Sequence, residues 1–548
     1  MGYQTRRLDH FGIVAGMCDR INLVESIDSF FPDQARHVTI GEAIKAMVIN
    51  ALGFSSRPLY LSPEFFRNKP VKLLFRPSLQ PDDFNDDCLG RALDALFQQD
   101  ITTIFAHTSS EALSLLGIEH RFYHLDTSSF SFHGKYKQND EKNSEEAFPE
   151  ESEPVPIKIC RGYSKDKRPK LKQAVLSMIC AHKSNLPLWL EALDGNSSDK
   201  KTFSSTIKAF TQQLREGETP CIIADSAFYT AENLEETSGV FWLTRVPETL
   251  KLAKELIQET EEEKFTETSD ADYQLFEAEK EYGGFTHRWI LVRSKKAKER
   301  EWGSFQKKLQ KAKDKALKEL EALKREEFNC WEDGEAALCK AEKKWRYHKA
   351  EHLEFEQVYH YEKKGRPKKD AEPDRISWKI TGELLEDLEA IQKVKNSVGK
   401  FILATNMPDE QLSNESALTN YKAQGYSVER GFRFLKDPMF FAESMYLKKP
   451  SRIMGLMMVM TLSLLVYSLA ERELREKLQS ENESLPDQKG KPTQKITMRR
   501  VFQMFEGIDM LLIGEGESTQ KAILNLNDHH HKIFVYLGRD VRKYYELD

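Results

Sequence analysis

The stretch 119–134, EHRFYHLDTSSFSFHG, alternates apolar and polar residues like a β-strand and begins the part of the chain that decides the fold. Two apolar runs joined by a polar turn follow it and predict an antiparallel pair, and then a helix, a strand, a helix and a strand are predicted. This order of elements is typical of an α/β fold. The six segments are KQAVLSMICAHKS (172–184), LPLWLEALDG (186–195), DKKTFSSTIKAFTQQLRE (199–216), TPCIIADSAF (219–228), AENLEETSG (231–239) and VFWLTRVP (240–247).

Five regions are predicted along the chain. Residues 1–118 have helical apolar spacing, and a dimerisation domain is as good an interpretation of them as a reader of DNA ends. Residues 119–247 form the first part of an α/β core, and residues 248–395 interrupt it with a hairpin at Gly283-Gly284 and a long charged helix pair. The core resumes at 396–470 with a strand, KFILATN, and a helix at NESALTNYKAQGYSVERGFRFLKD. Residues 471–548 form a helical C-terminal region.

Charge is distributed unevenly along the 548 residues. The formal net charge is −6, and residues 139–154 alone carry seven acids against one lysine, within a predicted mobile loop at 137–156. The rest of the chain is therefore neutral overall, with basic clusters at 165–172, 363–369 and 448–452. An acidic chain with local basic clusters remains compatible with a nucleic-acid partner.

Cysteine usage and hydropathy predict a cytoplasmic protein. The seven cysteines are scattered without a C-x-x-C pair, which argues against a disulfide framework or a zinc ribbon. The first residues lack the apolar region of a secretory signal. Residues 453–470 contain no charge and reach the lower length limit of a membrane span, but polar and small residues dilute them. A buried core helix is the favoured interpretation, with no membrane partner.

Three acids stand out by position. Asp126 lies inside an apolar strand, Asp225 ends another, and Glu429 lies in an apolar-faced helix. A carboxylate at a buried strand end is costly unless it binds a cation or a hydrogen-bond donor, and three of them suit hard divalent ions. Two such ions can assist phosphodiester chemistry. Singly, the acids have ordinary alternatives: a turn cap, a helix N-cap and a salt-bridge partner.

The helix of Glu429 carries two cations on the same face, Arg433 one turn later and Lys436 two turns later. A carboxylate followed by cations at this spacing could bind a metal ion and neighbouring phosphates together. The alternative is an ordinary Glu–Arg pair on a surface helix, which leaves the dense interleaving of aromatic residues unexplained.

Together these residues resemble the DDE transposases of bacterial insertion sequences. Strand-borne Asp126 and Asp225, a long insertion, and the pattern around Glu429 are similar to the insertion sequence four superfamily, and within it to the sixteen-thirty-four group. Seven segments carry the resemblance in one order: LDHFGIVAGMCDRINLVESID, HLDTSSFSFHG, GYSKDKRPKLKQ, GNSSDKKTF, ADSAFY, FWLTRVP and SVERGFRFLKDP.

The resemblance implies an RNase H-like catalytic core interrupted by an inserted segment, with a helical N-terminal domain. Asp126, Asp225 and Glu429 would be the catalytic acids and would bind two Mg²⁺ ions, with Mn²⁺ as a substitute. The implied activity is cut-and-paste transposition, in which DNA is cleaved at the terminal inverted repeats and the freed 3′-hydroxyl attacks target DNA. The implied assembly is a homodimer in the synaptic complex, acting on double-stranded DNA in the bacterial cytoplasm.

Lys436 matches the signature lysine of that superfamily, with six residues between it and the glutamate, and is expected to contact DNA phosphate. The signature arginine and tyrosine positions hold Gly425 and Lys422 instead, so whether a hairpin intermediate forms stays open. The nearby residues that could replace them in contacting DNA are Arg430, Arg433, Tyr426 and Tyr421.

Two basic segments add candidate DNA contacts. KKGRPKKD at 363–370 contains Arg366 and Lys368 and resembles a minor-groove hook, with a plain basic loop as the alternative. GYSKDKRPKLK carries Lys165 and Arg168 close to the Asp126 strand. Two other functions remain open: a nuclease with the same core that does not transfer strands, and a DNA-binding protein whose catalytic core has decayed.

Overall fold

The structure is a computed structural model that describes residues 3–32, 36–54, 59–118, 120–134, 136, 154–182, 186–214, 219–362, 372–437, 440, 447–514 and 520–546. Most of the predicted acidic loop, at 137–153, and the segment with Arg366 and Lys368 lie outside the described residues. The chain divides into two compact units. The first comprises Met1–Thr244, Tyr282–Phe285 and Thr419–Asp548, and the second comprises Arg245–Glu281 and Thr286–Leu418.

The N-terminal region of the first unit begins with one strand, β1 (Tyr3–Arg7), and continues as helices. Its longer helices start at clear caps, because the hydroxyl of Thr39 and the side chains of Asn85 and Asp100 accept hydrogen bonds from first-turn N–H groups. The seven helices are α1 (Phe11–Arg20), α2 (Leu23–Asp28), α3 (Ile40–Leu52), α4 (Ser62–Phe66), α5 (Val71–Leu74), α6 (Asp86–Gln98) and α7 (Ile101–Leu115).

A mixed sheet follows, with the element order that the apolar runs predict. Its strands lie in the order β4-β3-β2-β5-β6. The β2–β3 and β3–β4 pairs are antiparallel, whereas β2–β5 and β5–β6 are parallel. The elements are β2 (Phe122–Phe132), β3 (Lys172–Ala181), β4 (Pro187–Leu193), α8 (Asp199–Thr211), β5 (Cys221–Ala224), α9 (Ala231–Glu236) and β6 (Phe241–Arg245).

The second unit has its own strands and the predicted helix pair. It includes most of the β8–β9 hairpin, whose turn belongs to the Tyr282–Phe285 segment of the first unit. The turn residues Gly283 and Gly284 have φ values of 63° and 81°, which explains why glycines stand there. β7 pairs with β8, β9 with β12, and β10 with β11, all antiparallel. The elements are α10 (Lys251–Glu259), β7 (Thr266–Glu267), β8 (Tyr273–Tyr282), β9 (Phe285–Ser294), α11 (Lys295–Arg325), α12 (Trp331–Glu342), β10 (His348–His360), β11 (Arg375–Glu386), α13 (Leu388–Ser397) and β12 (Lys400–Thr405).

The chain after residue 413 corrects two expectations from the sequence. The C-terminal region is not purely helical, because β15 pairs with both β1 and β16. Short strands of five residues carry little periodicity, so their partners are needed to identify them. The elements are α14 (Asn414–Lys422), α15 (Val428–Leu435), α16 (Pro450–Ser480), β13 (Leu485–Pro486), β14 (Pro492–Thr493), α17 (Met498–Met504), β15 (Asp509–Ile513), β16 (Gln520–Leu524), α18 (Asp528–Tyr536) and α19 (Arg539–Glu546).

The single helix predicted over 414–437 is broken in the structure. A 3₁₀ turn at Ala423–Tyr426 separates α14 from α15, and Ser427 adopts φ −115° and ψ −108°. The hydroxyl of Ser427 donates a hydrogen bond of 3.1 Å to the carbonyl oxygen of Ala181 at the end of β3. This tertiary contact fixes the start of α15 and cannot be seen from local periodicity.

The apolar run at 453–470 forms the centre of α16, which is a core helix of the first unit. It is the one described helix long and apolar enough to cross a bilayer, and 94% of its most apolar window is buried inside the protein. It contacts α1, α3, α6, α7, α15 and β4. The expected burial of this helix is therefore observed.

Candidate active site

Asp126 lies within β2, and Asp225 directly follows β5, the parallel neighbour of β2. The β2–β5 register joins Phe122 to Cys221 and His124 to Ile223, so each residue pairs with the one 99 positions later. Asp126 and Asp225 are separated by the same 99 positions. Continuing the register by two residues therefore places the two carboxylates side by side on one face of the sheet.

Burial makes both carboxylates harder to ionise. It raises the pKa of Asp126 to about 6, since the nearby ammonium of Lys165 and the Thr127 N–H lower that pKa by less than burial raises it. The negative charges of Asp225 and Asp199 raise it further. Burial also raises the pKa of Asp225, although its Oδ1 accepts a hydrogen bond of 2.9 Å from the Ala227 N–H. The site thus holds acidic groups whose negative charge is incompletely compensated.

Lys165 supplies the cation among these acids. Its Nζ lies 3.7 Å from Asp126 Oδ1 and 3.0 Å from Asp199 Oδ2, and it donates hydrogen bonds of 2.7 and 2.8 Å to the carbonyl and hydroxyl oxygens of Thr127. Burial alone would lower the pKa of Lys165, but the carboxylates outweigh it and the pKa is raised. The sequence predicted a DNA contact for Lys165, whereas the structure places its ammonium on the acids.

Asp199, the first residue of α8, is a fourth acid that sequence analysis did not assign to the site. It accepts a hydrogen bond from the Thr127 hydroxyl next to Asp126. Its side chain is 21% exposed, and its charge raises the pKa of both Asp126 and Asp225. An aspartate at the start of a helix that follows the third strand was the available signal, but N-capping explains such a residue equally well.

The helix α15 covers the sheet face that carries Asp126. Asp126 pairs with Met178 across β2 and β3, so these side chains share a face. A Cβ atom on Gly431 would lie 3.0 Å from Met178 Cε, and the Lys436 ammonium lies 5.5 Å from the ring centroid of Phe130. Because Phe130 lies four positions beyond Asp126, both contacts place α15 on this face.

Glu429 lies on α15 with an exposed side chain. The structure brings Asp126, Asp225 and Asp199 together around Lys165, but it shows no hydrogen bond or ion pair between Glu429 and these groups in the described part of the chain. Nor does that part contain a group of three His, Cys, Asp or Glu side chains arranged to hold a metal ion. Glu429 thus lies on the expected helix, which covers the sheet face of Asp126, but no hydrogen bond or ion pair among the described residues joins it to the cluster of Asp126, Asp225 and Asp199.

The candidate DNA contacts on and after α15 have different surroundings. Lys436 Nζ lies 2.8 and 3.0 Å from the two carboxylate oxygens of Asp166, next to Lys165 in the chain. Arg433 donates a hydrogen bond of 3.2 Å to the Gly425 carbonyl, whereas Arg430 pairs with buried Glu471. Within the described ranges, the candidate side chains without such partners are those of Tyr426, which is 76% exposed, and Arg168, which is also exposed.

A family comparison covers the part of the chain that contains these acids. The family described as "Transposase DDE domain" matches residues 125–466, which begin one residue before Asp126 and include Asp225 and Glu429. The chain belongs to the DDE transposase family. A second family, "Domain of unknown function (DUF4277)", matches residues 3–110 of this transposase, the helical region that precedes the sheet.

Among solved structures, the transposase is similar to the piggyBac transposase in a synaptic complex with hairpin DNA. The TM-score is 0.36 at 10% sequence identity, and the alignment covers 92% of this chain and 82% of the other. No curated protein matches the sequence.

Proposed function

We propose that this transposase cleaves DNA at the ends of an insertion sequence and joins the freed 3′-hydroxyls to target DNA in a cut-and-paste reaction. The observation that carries the proposal is the position of Asp225 directly after the carboxyl end of β5, where the parallel register continued by two residues sets it opposite Asp126 of β2. Ligands and reacting groups in α/β sheets are characteristically bound at this edge. The family match supports a transposase, and the geometry of the acids supports metal-dependent phosphodiester chemistry.

The residues present fit a divalent cation. Asp126 and Asp225 are adjacent carboxylates whose pKa values burial raises, and a hard cation with oxygen ligands would offset that cost. We propose that they bind Mg²⁺, or Mn²⁺ in its place, with Glu429 as the third ligand and two ions in the active complex. When bound, such ions activate the attacking oxygen and stabilise the leaving oxygen in phosphodiester exchange.

The chain's own residues would orient the substrate around these acids. Lys436 carries a positive charge on the α15 side of the sheet, where it would hold a phosphate near the cut end after exchanging its bond with Asp166. Arg433, Tyr426 and Arg168 would contact the flanking backbone. Arg366 and Lys368 are proposed to enter the minor groove. Arg430, which is paired with Glu471, and Lys165, which is paired with Asp199, are also proposed to contact DNA.

The proposed fold and superfamily rest on the order of the strands and on the sequence segments. Three antiparallel strands followed by two helix-linked parallel strands support an RNase H-like core, into which the second unit is inserted. The seven ordered segments support membership of the insertion sequence four superfamily and its sixteen-thirty-four group. Because two element ends must be joined, we propose a homodimer in the synaptic complex, working on chromosomal DNA in a bacterial cytoplasm.

Cleavage of DNA that carries the element's own boundary tests the function, with Glu429→Gln compared against wild type. Wild type is expected to cleave the boundary in the presence of Mg²⁺. The cleavage rate of the variant is expected to be lower by about a hundredfold or more, because a charged carboxylate ligand is replaced by a neutral amide. The readout is product formation on a sequencing gel, with and without EDTA.

Two further measurements distinguish a transposase from a nuclease and from a DNA-binding protein with a decayed core. A pre-cut end should be joined to target DNA by wild type, whereas a nuclease would cut the boundary without joining. Retained DNA binding without cleavage by either protein would contradict the proposal and favour a decayed core.

Lys165→Met is expected to raise the affinity for Mn²⁺ about tenfold or more at pH 8. The ammonium that competes for the oxygens of Asp126 and Asp199 is removed, and a tenfold change corresponds to only about 1.4 kcal/mol. Calorimetric titration of the DNA-free protein measures this. Lys170→Met, an exposed position in the same loop, serves as the control and should leave the affinity unchanged. Weaker or unchanged binding in Lys165→Met would show that Lys165 does not compete with the metal.

A further inference from the structure

The helix α11 of the second unit is strongly basic in a chain that is acidic overall. Over Lys295–Arg325 it carries twelve lysines and arginines and five acids, a net charge of +7, whereas the whole chain has −6. The acids are concentrated towards the two ends of the helix. Between residues 302 and 318 six lysines face one acid, Asp314.

Six of the twelve cations lie on one side of the helix, together with one acid, Asp314. At 100° per residue, six exposed cations fall within an arc of about 60°. We call this face the basic stripe, and it consists of Lys296, Arg300, Lys307, Lys311, Lys318 and Arg325.

The opposite side of α11 holds the helix in the protein. Its buried residues are Phe305, Ala316 and Leu320, and Leu320 packs in a cluster with Phe328 and Ile380 on the β10–β11 side. By the same angular count these residues lie about 140–180° from the centre of the basic stripe. The stripe is therefore turned away from the core of its unit, towards solvent.

Stability of the helix does not explain the basic stripe. Charged surface helices are usually stabilised by pairs of opposite charge three or four residues apart. In the described part of the chain, Lys307, Lys311 and Lys318 have no carboxylate within ion-pair distance, whereas Lys295, Lys298 and Lys324 on the same helix pair with Glu267, Glu262 and Glu321. Like charges four apart, as at 307 and 311, repel each other. These three lysines thus add no ion pair to the helix, whereas Lys295, Lys298 and Lys324 do.

We propose that the basic stripe is a sequence-independent docking surface for the sugar-phosphate backbone of duplex DNA. From Lys296 to Arg325 it extends about 44 Å at 1.5 Å per residue. This is the length of about 13 base pairs, so several phosphates can be reached along one straight face. The stripe contains no large apolar residue, which a helix that lies in a membrane interface would need. The choice of DNA as the anion rests on the proposed function.

The test compares two triple variants with the same change in charge. One replaces Lys307, Lys311 and Lys318 by glutamine, and the other replaces the ion-paired Lys295, Lys298 and Lys324. Binding to a duplex of about 30 base pairs without element sequence is measured by fluorescence anisotropy in EDTA, over a range of NaCl concentrations. Each lost phosphate contact lowers the slope of log affinity against log salt by about 0.9.

The stripe variant is expected to lose about two to three units of salt slope, and the paired-lysine variant less than one. Arginine at 307, 311 and 318 should retain the wild-type slope, and thermal melting should show that the stripe variant remains folded. Equal losses of salt slope in both glutamine variants would show that only the net charge matters. An unchanged salt slope in the stripe variant would show that the stripe does not bind DNA. Either result overturns the proposal. Because no cleavage is measured, failure of the proposed activity leaves this outcome unaffected.

Discussion

Replacing Asp225 with asparagine is expected to lower metal-dependent cleavage at the element boundary by at least about a thousandfold, which corresponds to about 4 kcal/mol of transition-state stabilisation. The substitution neutralises one of the two side-by-side carboxylates and keeps the shape of the side chain. Its remaining oxygen can still accept the hydrogen bond from the Ala227 N–H. The turn after β5 is therefore expected to stay intact, so that the loss falls on the chemistry.

The measurement is single-turnover cleavage in Mg²⁺, with DNA binding measured in EDTA on the same preparations. Asp194→Asn is the matched control, because Asp194 also accepts a backbone hydrogen bond, from Lys158, but is not part of the acid cluster. Asp225→Asn should bind DNA like wild type, and Asp194→Asn should cleave like wild type. A parallel loss of binding and cleavage in Asp225→Asn would assign the carboxylate a structural role instead.

Local patterns predicted the strands of the first unit's sheet and the places of Asp126 and Asp225 relative to them. The runs around Asp126 and Asp225 are apolar and bounded by polar turns, which is typical of buried strands. An ionisable residue inside such a strand or directly after it is unusual enough to stand out. The spacing of 99 residues was visible in the sequence. Its meaning as the strand register was not, because pairing between distant strands depends on the whole sheet.

The features that the sequence did not predict all depend on tertiary contacts. Lys165 reaches Asp126 and Asp199 from a loop whose course has no periodic signal. The break before α15 depends on a hydrogen bond between Ser427 and Ala181, which lie far apart in the chain. Similarly, β15 pairs with β1 from opposite ends of the sequence. Charge and periodicity describe each segment alone, so they predict local elements better than contacts between residues that are distant in the chain.

The second large effect concerns stability. Asp126→Asn is expected to raise the free energy of unfolding by about 3 kcal/mol at pH 7 in EDTA, although it removes a residue proposed to be catalytic. Burial raises the pKa of this carboxyl from 3.8 to about 6, and each unit corresponds to about 1.36 kcal/mol. The Asp126 side chain is only 19% exposed, so solvent screens little of this cost. Lys165 keeps its contacts with Asp199 and Thr127 in the variant.

The pH dependence gives the sign of this effect independently. Because the folded-state pKa lies above the unfolded value, the stability that this group contributes is fully present below about pH 4 and is lost as the pH rises through about 6. The stability difference between Asp126→Asn and wild type should therefore be close to zero at pH 4. It should grow between pH 4 and 6 and stay constant above that range. Other titrating groups are common to both proteins and cancel in the difference.

Thermal melting of the two proteins from pH 4 to pH 8, with EDTA or with Mg²⁺, measures both predictions. Mg²⁺ should raise the melting temperature of wild type, because a ligand that binds only the folded state stabilises it, and should have much less effect on the variant. Adding the metal should therefore reduce or reverse the difference in melting temperature between Asp126→Asn and wild type. A variant that is less stable than wild type at pH 7 in EDTA would mean that Lys165 already compensates the charge of Asp126, and the burial cost from which we infer a cation site would not exist.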